Sequence, residues 1–297
     1  MADVNLMLTL IGKGDLCGVK KLCADYKGPQ HVIAYAAKLG NLEIVKCLFE
    51  NINIDPNTIK HVINSSIHGK YLDIVWYFLK LGHMGTMNGL NAAARYGYID
   101  IIHEHHKHEV RGDTSTLNIA IKNGHKGLVE YLLSNNYIGN WDTLSYAAVN
   151  GHTDIMTVLI AHGYKVSDDI FMCSVIHNRV GVLQWLHNNN YRADNSHLLL
   201  CKAVKHQKID IITCLLECGY RMVKRIFNRT DNLDMLKLFH KYGHHSTSAA
   251  ATHAALQNDI VVLKYLRSIG CRIDVKHIAR IKNHGTIDVF AFLSNLI

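Results

Sequence analysis

One pattern recurs along nearly the whole of this 297-residue chain: a hydrophobe, two residues, two small residues, two variable positions, a glycine, then an apolar–acidic–apolar–apolar run. Its clearest copies are IAYAAKLGNLEIVKCLF (33–49), LNAAARYGYIDII (90–102) and LSYAAVNGHTDIMTVLI (144–160), and LNIAIKNGHKGLVEYLL (117–133) repeats it with Gly127 in the acidic slot. That slot reads Cys17, Glu43, Asp73, Asp100, Gly127, Asp154, Gly181, Asp210, Asp234, Val261 and Asp288, in steps close to 27 residues. Lys70 is an added residue in the third unit, and the ninth unit is short. About eleven copies fill the chain without linker or low-complexity tract. A fixed period of this length implies a repeat array, so residues 1–297 are expected to form a single solenoid domain. Its first capping repeat would span about 1–27 and its last about 278–297.

Each unit has the ingredients of two antiparallel helices. In the sixth, Asp142 or Thr143 is placed to cap the first helix, whose Leu144, Ala147 and Ala148 share a face at i, i+3, i+4. Gly151 supplies a permissive backbone for the turn. Asp154 opens the second helix, where its charge favours the helix dipole. Ile155, Val158, Leu159 and Ile160 form the buried face, and Gly163 ends the helix. Small alanine pairs let neighbouring helices approach closely, and stacking buries what one hairpin cannot. The expected class is all-α.

Composition narrows the function. With 48% apolar and 19% charged residues the chain can bury a large core, so disorder is excluded as a global state. No run reaches the roughly 20 apolar residues of a membrane span. Met1 to Leu10 lacks the basic segment and cleavage site of a secretory signal. Eight cysteines without a Cys-x-x-Cys pair suit reduced thiols, hence an intracellular protein of the cytoplasm, with the nucleus as the alternative. A net charge of +8 favours acidic partners, either protein or nucleic acid.

The string A-A-x-x-G-[HNY]-x-[DE]-[IV]-[IV]-x-x-[LF] resembles the ankyrin repeat. Ala36-Ala37 with Gly40-Asn41, Ala93-Ala94 with Gly97-Tyr98, and Ala147-Ala148 with Gly151-His152 carry the resemblance. Two features depart from it. The Thr-Pro-Leu-His opening is replaced by Asp142-Thr143-Leu144-Ser145 and equivalents. The usual repeat is about 33 residues, so roughly six are missing, at the hairpin finger between units. Short, Asn- and Ile-rich arrays of this kind also resemble the ankyrin proteins of large DNA viruses infecting amoebae.

The resemblance implies protein–protein recognition on a concave face, including the two positions before each glycine. Carried over unit by unit these are Lys38/Leu39, Ile67/His68, Arg95/Tyr96, Lys122/Asn123, Val149/Asn150, Ile176/His177, Lys205/His206, Arg229/Thr230, Leu256/Gln257 and Asn283/His284. None is acidic, so the face would carry positive potential and take an acidic protein surface or peptide. The alternative is solvated helix ends that follow the overall composition. Trp141 stands at a loop-tip position, either as a partner anchor or packed on the adjacent loop. Trp76 and Trp185 fall in second helices as core or inter-repeat residues.

Other clusters are weaker. His103-Glu104-His105-His106-Lys107-His108 puts imidazoles in the slots of Leu48 and Phe49. Zinc needs three or four ligands and no second cluster completes the set. The alternative is a partly hydrated contact that loosens the array there. His240, His244, His245 and His253 lie across a loop. Cys214 and Cys218 are four apart on a helix, with Cys214 in the register of Cys47, a repeated packing slot. Arg221, Lys224, Arg225 and Arg229 form either an anion site or a charged solvent face. Arg111-Gly112-Asp113 is read as a coincidental tripeptide. No phosphate loop, nucleophile elbow or HExxH is present, so neither enzyme chemistry nor a cofactor is expected.

The expected function is a non-catalytic interaction scaffold. A substrate-recruiting adaptor of a ubiquitin ligase is an alternative, although no F-box-like segment follows the last repeat. Sequence-independent nucleic-acid binding is the other; it is disfavoured because aromatics do not alternate with cations as stacking platforms do. The apolar stretch Val289–Ile297 packs in part on the preceding unit and otherwise offers a surface for end-to-end self-association or partner docking.

Overall fold

The computed structural model describes residues 2–221, 232–245 and 247–271. Among them the chain is all-helical, with no strand. It divides into two units, Met1–Gly163 and Tyr164–Ile297. The first holds α1 (Ala2–Lys13), α2 (Leu16–Cys23), α3 (Val32–Lys38), α4 (Leu42–Asn51), α5 (Pro56–Gly69) and α6 (Leu72–Lys80). It continues with α7 (Met87–Tyr96), α8 (Ile99–Lys107), α9 (Thr114–Lys122), α10 (Lys126–Ser134), α11 (Thr143–Asn150) and α12 (Thr153–Ala161). Consecutive helices pair as hairpins; odd-numbered helices pack in a row from α1 to α11, and α2 on α4, α4 on α6, α8 on α10 and α10 on α12 form the other layer. The second unit holds α13 (Asp168–Ile176), α14 (Val180–Asn188), α15 (Ser196–Lys205), α16 (Ile209–Glu217), α17 (Leu233–Lys241), α18 (Ser248–Leu256) and α19 (Ile260–Ser268). Its hairpins are α13–α14, α15–α16 and α18–α19. The expected terminal repeat, 278–297, lies outside the described residues.

Burial follows the sequence pattern. Ala36-Ala37, Ala93-Ala94 and Ala147-Ala148 are fully buried, which lets the first helices of successive hairpins approach. In the second helices the stripe is i, i+1, i+4, as in Ile74-Val75-Phe78 and Val182-Leu183-Leu186. In α12, Met156 joins Ile155, Val158 and Leu159 in the core while Ile160 stays half-buried, because the stripe leans towards the preceding turn. Glu43, Asp73, Asp100, Asp154, Asp210 and Asp234 all sit in first turns of second helices, as their slot requires.

The backbone marks the period more sharply than any side chain. A residue in the left-handed region, φ 51–90°, closes nearly every described helix. After second helices these are Gly82, Glu109, Asn136, Gly163 and Asn190, then Gly219, Gly243 and Gly270. After first helices they are Gly14, Gly40, Lys70, Gly97, Gly124, Gly151, Asn178, Gln207 and Asn258. The amide of the following residue returns to a helical carbonyl, for instance His125 to Ala120 at 3.1 Å and Val110 to His105 at 3.0 Å, the Schellman closure. Lys70 is therefore no padding: α5 runs one residue further, through Gly69, and Lys70 takes the left-handed position at φ 64°. Gly97 and Gly124 have a second reason to be glycine. A Cβ on either would stand 2.7–2.8 Å from the ring of His125 or His152, which packs over it from the next repeat.

Polar ties span the short connections. Asn64 binds the Thr86 amide and hydroxyl, the Thr116 hydroxyl donates to Asn91 at 2.7 Å, and that of Thr143 donates to Asn118 at 3.0 Å. Thr116 and Thr143 are fully buried. This corrects the expected cap of α11: neither Asp142 nor Thr143 caps it through a side chain, because Thr143 is turned inward to the previous repeat.

Candidate partner-binding ridge

The last turns of the first helices carry the residues expected to bind. Lys38, Leu39, His68, Arg95, Lys122 and Asn123 in the first unit are exposed, whereas Tyr96 and Asn150 are half-buried. His177, Lys205 and His206 are exposed in the second unit. Ile67 is fully buried: with Lys70 closing α5, the two positions before the turn become His68 and Gly69. Arg229, Thr230, Asn283 and His284 lie outside the described residues, as do Lys224 and Arg225.

The ridge is tied from repeat to repeat. His125 Nε2–H donates to the Arg95 carbonyl at 2.8 Å and His152 Nε2–H to that of Lys122 at 3.3 Å. Tyr96 Oη–H donates to the His68 carbonyl at 3.3 Å, and Lys208 Nζ to Ile176 at 2.8 Å. Two lysines lie over rings of the next repeat, Lys70 Nζ 4.8 Å from the Tyr96 centroid and Lys122 Nζ 3.9 Å from that of Tyr146. Asn123 and Asn150 spend their amides on their own helices, at Ile119 and Tyr146. Lys70 was missed in the sequence because the register there follows the backbone turn, not the glycine, and Tyr146 because it lies one helical turn before the two positions carried over.

Charge is sorted between the layers. All four ion pairs among the described residues, Lys46–Glu43, Lys107–Glu104, His108–Glu104 and Lys126–Glu130, belong to the second-helix layer. No ridge cation has a carboxylate partner there, and no ridge position is acidic.

Trp141 is 85% exposed, so it does not pack on the adjacent loop, and Ile138 beside it is 75% exposed. Ile138 also borders an open cleft of about 290 Å³ between the loops before α9 and α11. Arg111-Gly112-Asp113 lines that cleft, and each residue has a local task. Arg111 donates to the Asn135 carbonyl, the Gly112 amide donates to Tyr137 Oη at 2.7 Å, and Asp113 caps α9.

The histidine run tightens its repeat. His105 is completely buried; Nδ1–H donates to the Ile101 carbonyl at 2.8 Å and Nε2 accepts the Gly85 amide at 3.0 Å. Burial, foremost, lowers its pKa. His106 is held between Tyr131 Oη and Tyr137 Oη, each at 2.9 Å. His240 makes the same contact to Tyr265 at 2.8 Å. Cys47 and Cys214 are buried packing residues, and burial pushes the Cys214 thiol up to about 12. Trp76 and Trp185 are half-buried on α6 and α14, the latter stacked on Tyr191. Among the described residues no group of three metal-ligating side chains converges, and no helix is long and apolar enough to cross a membrane.

Stacked helical hairpins with a left-handed turn at nearly every described helix end define a helical repeat protein. Residues 90–170 match the family model described as ankyrin repeats (3 copies), which supports the ankyrin resemblance of the sequence. No curated protein matches it. Ankyrin repeats are generally protein–protein interaction modules and are typically non-catalytic.

Proposed function

We propose that the protein is a non-catalytic scaffold whose first-helix ends bind an acidic protein partner, with Trp141 as a separate apolar anchor. The observation that carries this reading is the charge sorting. The ion pairs lie in the second-helix layer; first helices carry acids only at their starts, as at Asp55, Asp113 and Asp168, while at their ends Lys38, Arg95, Lys122 and Lys205 stand exposed and unpaired by carboxylate. Exposed cations without carboxylate partners steer the approach of an acidic surface. Nucleic acid is served less well, because Lys70 and Lys122 already cover one face of Tyr96 and Tyr146, rings that would otherwise stack on bases. Charge reversal at Arg95, Lys122 and Lys205 tests the reading. Partner capture from lysate should fall, more at low salt than at high, and unchanged capture would refute it.

A further inference from the structure

The cation row in the first unit has a definite length and spacing. At the register of Lys38, successive first helices present Lys38, His68, Arg95 and Lys122, bounded by Gly12 before and Val149 after. Neighbouring packed helices lie about 8–10 Å apart, so the row offers one positive or protonatable group per about 9 Å over four rungs.

A ligand must place acids on one face at that interval. A β-strand repeats its face every two residues, about 6.6 Å, which slips out of step within two rungs. A strand also needs a free backbone edge, and the carbonyls at the ridge are already taken: His68 by Tyr96, Arg95 by His125, Lys122 by His152. An α-helix returns to the same face every seven residues, about 10.5 Å, but helical ligands anchor through an apolar face in a hydrophobic groove. Among the four paired positions here, Leu39 is the one exposed aliphatic residue. Polyproline II has three residues per turn and about 3.1 Å rise, returning to the same face every 9.3 Å, and needs no backbone partner. Its proline rings pack on aromatic surfaces, and Tyr35 supplies an exposed ring on α3, the first helix of the row.

We propose that the row from Lys38 to Lys122 takes an acidic, proline-rich segment in polyproline II conformation, about ten residues long, with an acid at every third position. This rests on the acidic-partner reading above and adds a spacing to it.

Fluorescence anisotropy with the full chain tests the spacing, using labelled (Glu-Pro-Pro)4 and a block isomer of the same composition, Glu4Pro8. A helical peptide with acids every seventh residue and a 12-nucleotide single strand complete the set. The repeating peptide should bind about tenfold tighter than the block isomer, as three exposed ion pairs of a few-fold each, at Lys38, Arg95 and Lys122, would give. Arg95→Glu and Lys38→Glu should each weaken it several-fold, with melting temperatures unchanged. Equal binding of the two isomers overturns the spacing; if Arg95→Glu still weakens both, the acidic-partner reading survives. Tighter binding of the helix or the oligonucleotide, or binding of none of the four, also overturns the proposal. Binding untouched by either substitution removes both readings at this row.

Discussion

His105 occupies a position that is leucine or phenylalanine in the equivalent turns, Phe78, Leu132 and Leu186 among them. Its neutral form is locked, because Nδ1 must donate to Ile101 and Nε2 must accept from the buried Gly85 amide. Protonation would set two donors face to face. His105→Leu removes the Gly85 partner, costing about 1–3 kcal/mol for the unsatisfied amide. It returns about 1.5–3 kcal/mol of apolar burial. At pH 7.5 the variant should therefore lie within about 2 kcal/mol of the parent. Acid separates them. The folded pKa is depressed by burial below the ordinary value, so the contribution is complete above about pH 6.5 and is lost as pH falls through the folded value. At pH 5 the linkage can remove at most about 2 kcal/mol, and the leucine variant escapes it. Urea denaturation followed by circular dichroism at pH 7.5 and 5.0 measures this. Histidines common to both chains, His106, His240 and His244 with lowered pKa values among them, largely cancel in the difference. A difference in stability that stays constant between the two pH values would refute the locked-tautomer reasoning.

Two glycines three positions apart have opposite expected behaviour. Gly127 lies in the first turn of α10 with nothing within 4 Å of the place a Cβ would take, so Gly127→Asp should stabilise by about 1 kcal/mol through propensity and dipole. Gly124 has φ 77° and the His152 ring against it, so Gly124→Ala should destabilise by about 1–2 kcal/mol or more; thermal melts of the pair check both signs. Asn91→Leu should cost about 1–3 kcal/mol by leaving the buried Thr116 hydroxyl without its acceptor. Asn118→Leu should cost less, because Thr143 also reaches Asn140 at 3.1 Å, and urea midpoints of the two variants compare them directly.

Much of the fold was legible because burial and backbone turn repeat together. The alanine pairs, the acidic slot and the glycines each marked the same register in different residues. What escaped was a register carried by backbone alone. At Lys70, Glu109 and Gln207 the left-handed turn persists without glycine, so spacing counted from Gly69 placed Ile67 on the ridge, whereas it lies in the core. The inter-repeat ties were equally hidden. Thr143 looks like a cap by its position at a helix start, and only the packing of α9 beside α11 brings Asn118 within reach of its hydroxyl. The histidine run suggested softness because imidazole is polar. A buried imidazole with both nitrogens bonded is as fixed as the leucine it replaces.

Whether the cation row reflects more than helix electrostatics turns on a comparison within the same molecule. A helix C-terminus favours cations and disfavours acids by a few tenths of a kcal/mol to about 1 kcal/mol. That preference acts equally on both layers, since both end in the same left-handed closure. Yet the second helices tolerate acids in their last turns: Glu50 in α4 and Glu217 in α16, the latter accepting from Tyr242 at 3.0 Å. The corresponding described positions of the first helices hold Lys38, His68, Arg95, Lys122 and Lys205 and no acid. The dipole explains why a cation is comfortable there but not why the last turns of one layer admit carboxylates and the described last turns of the other hold none. The proposed acidic ligand would account for the asymmetry, because an acid on the ridge would repel it at every rung.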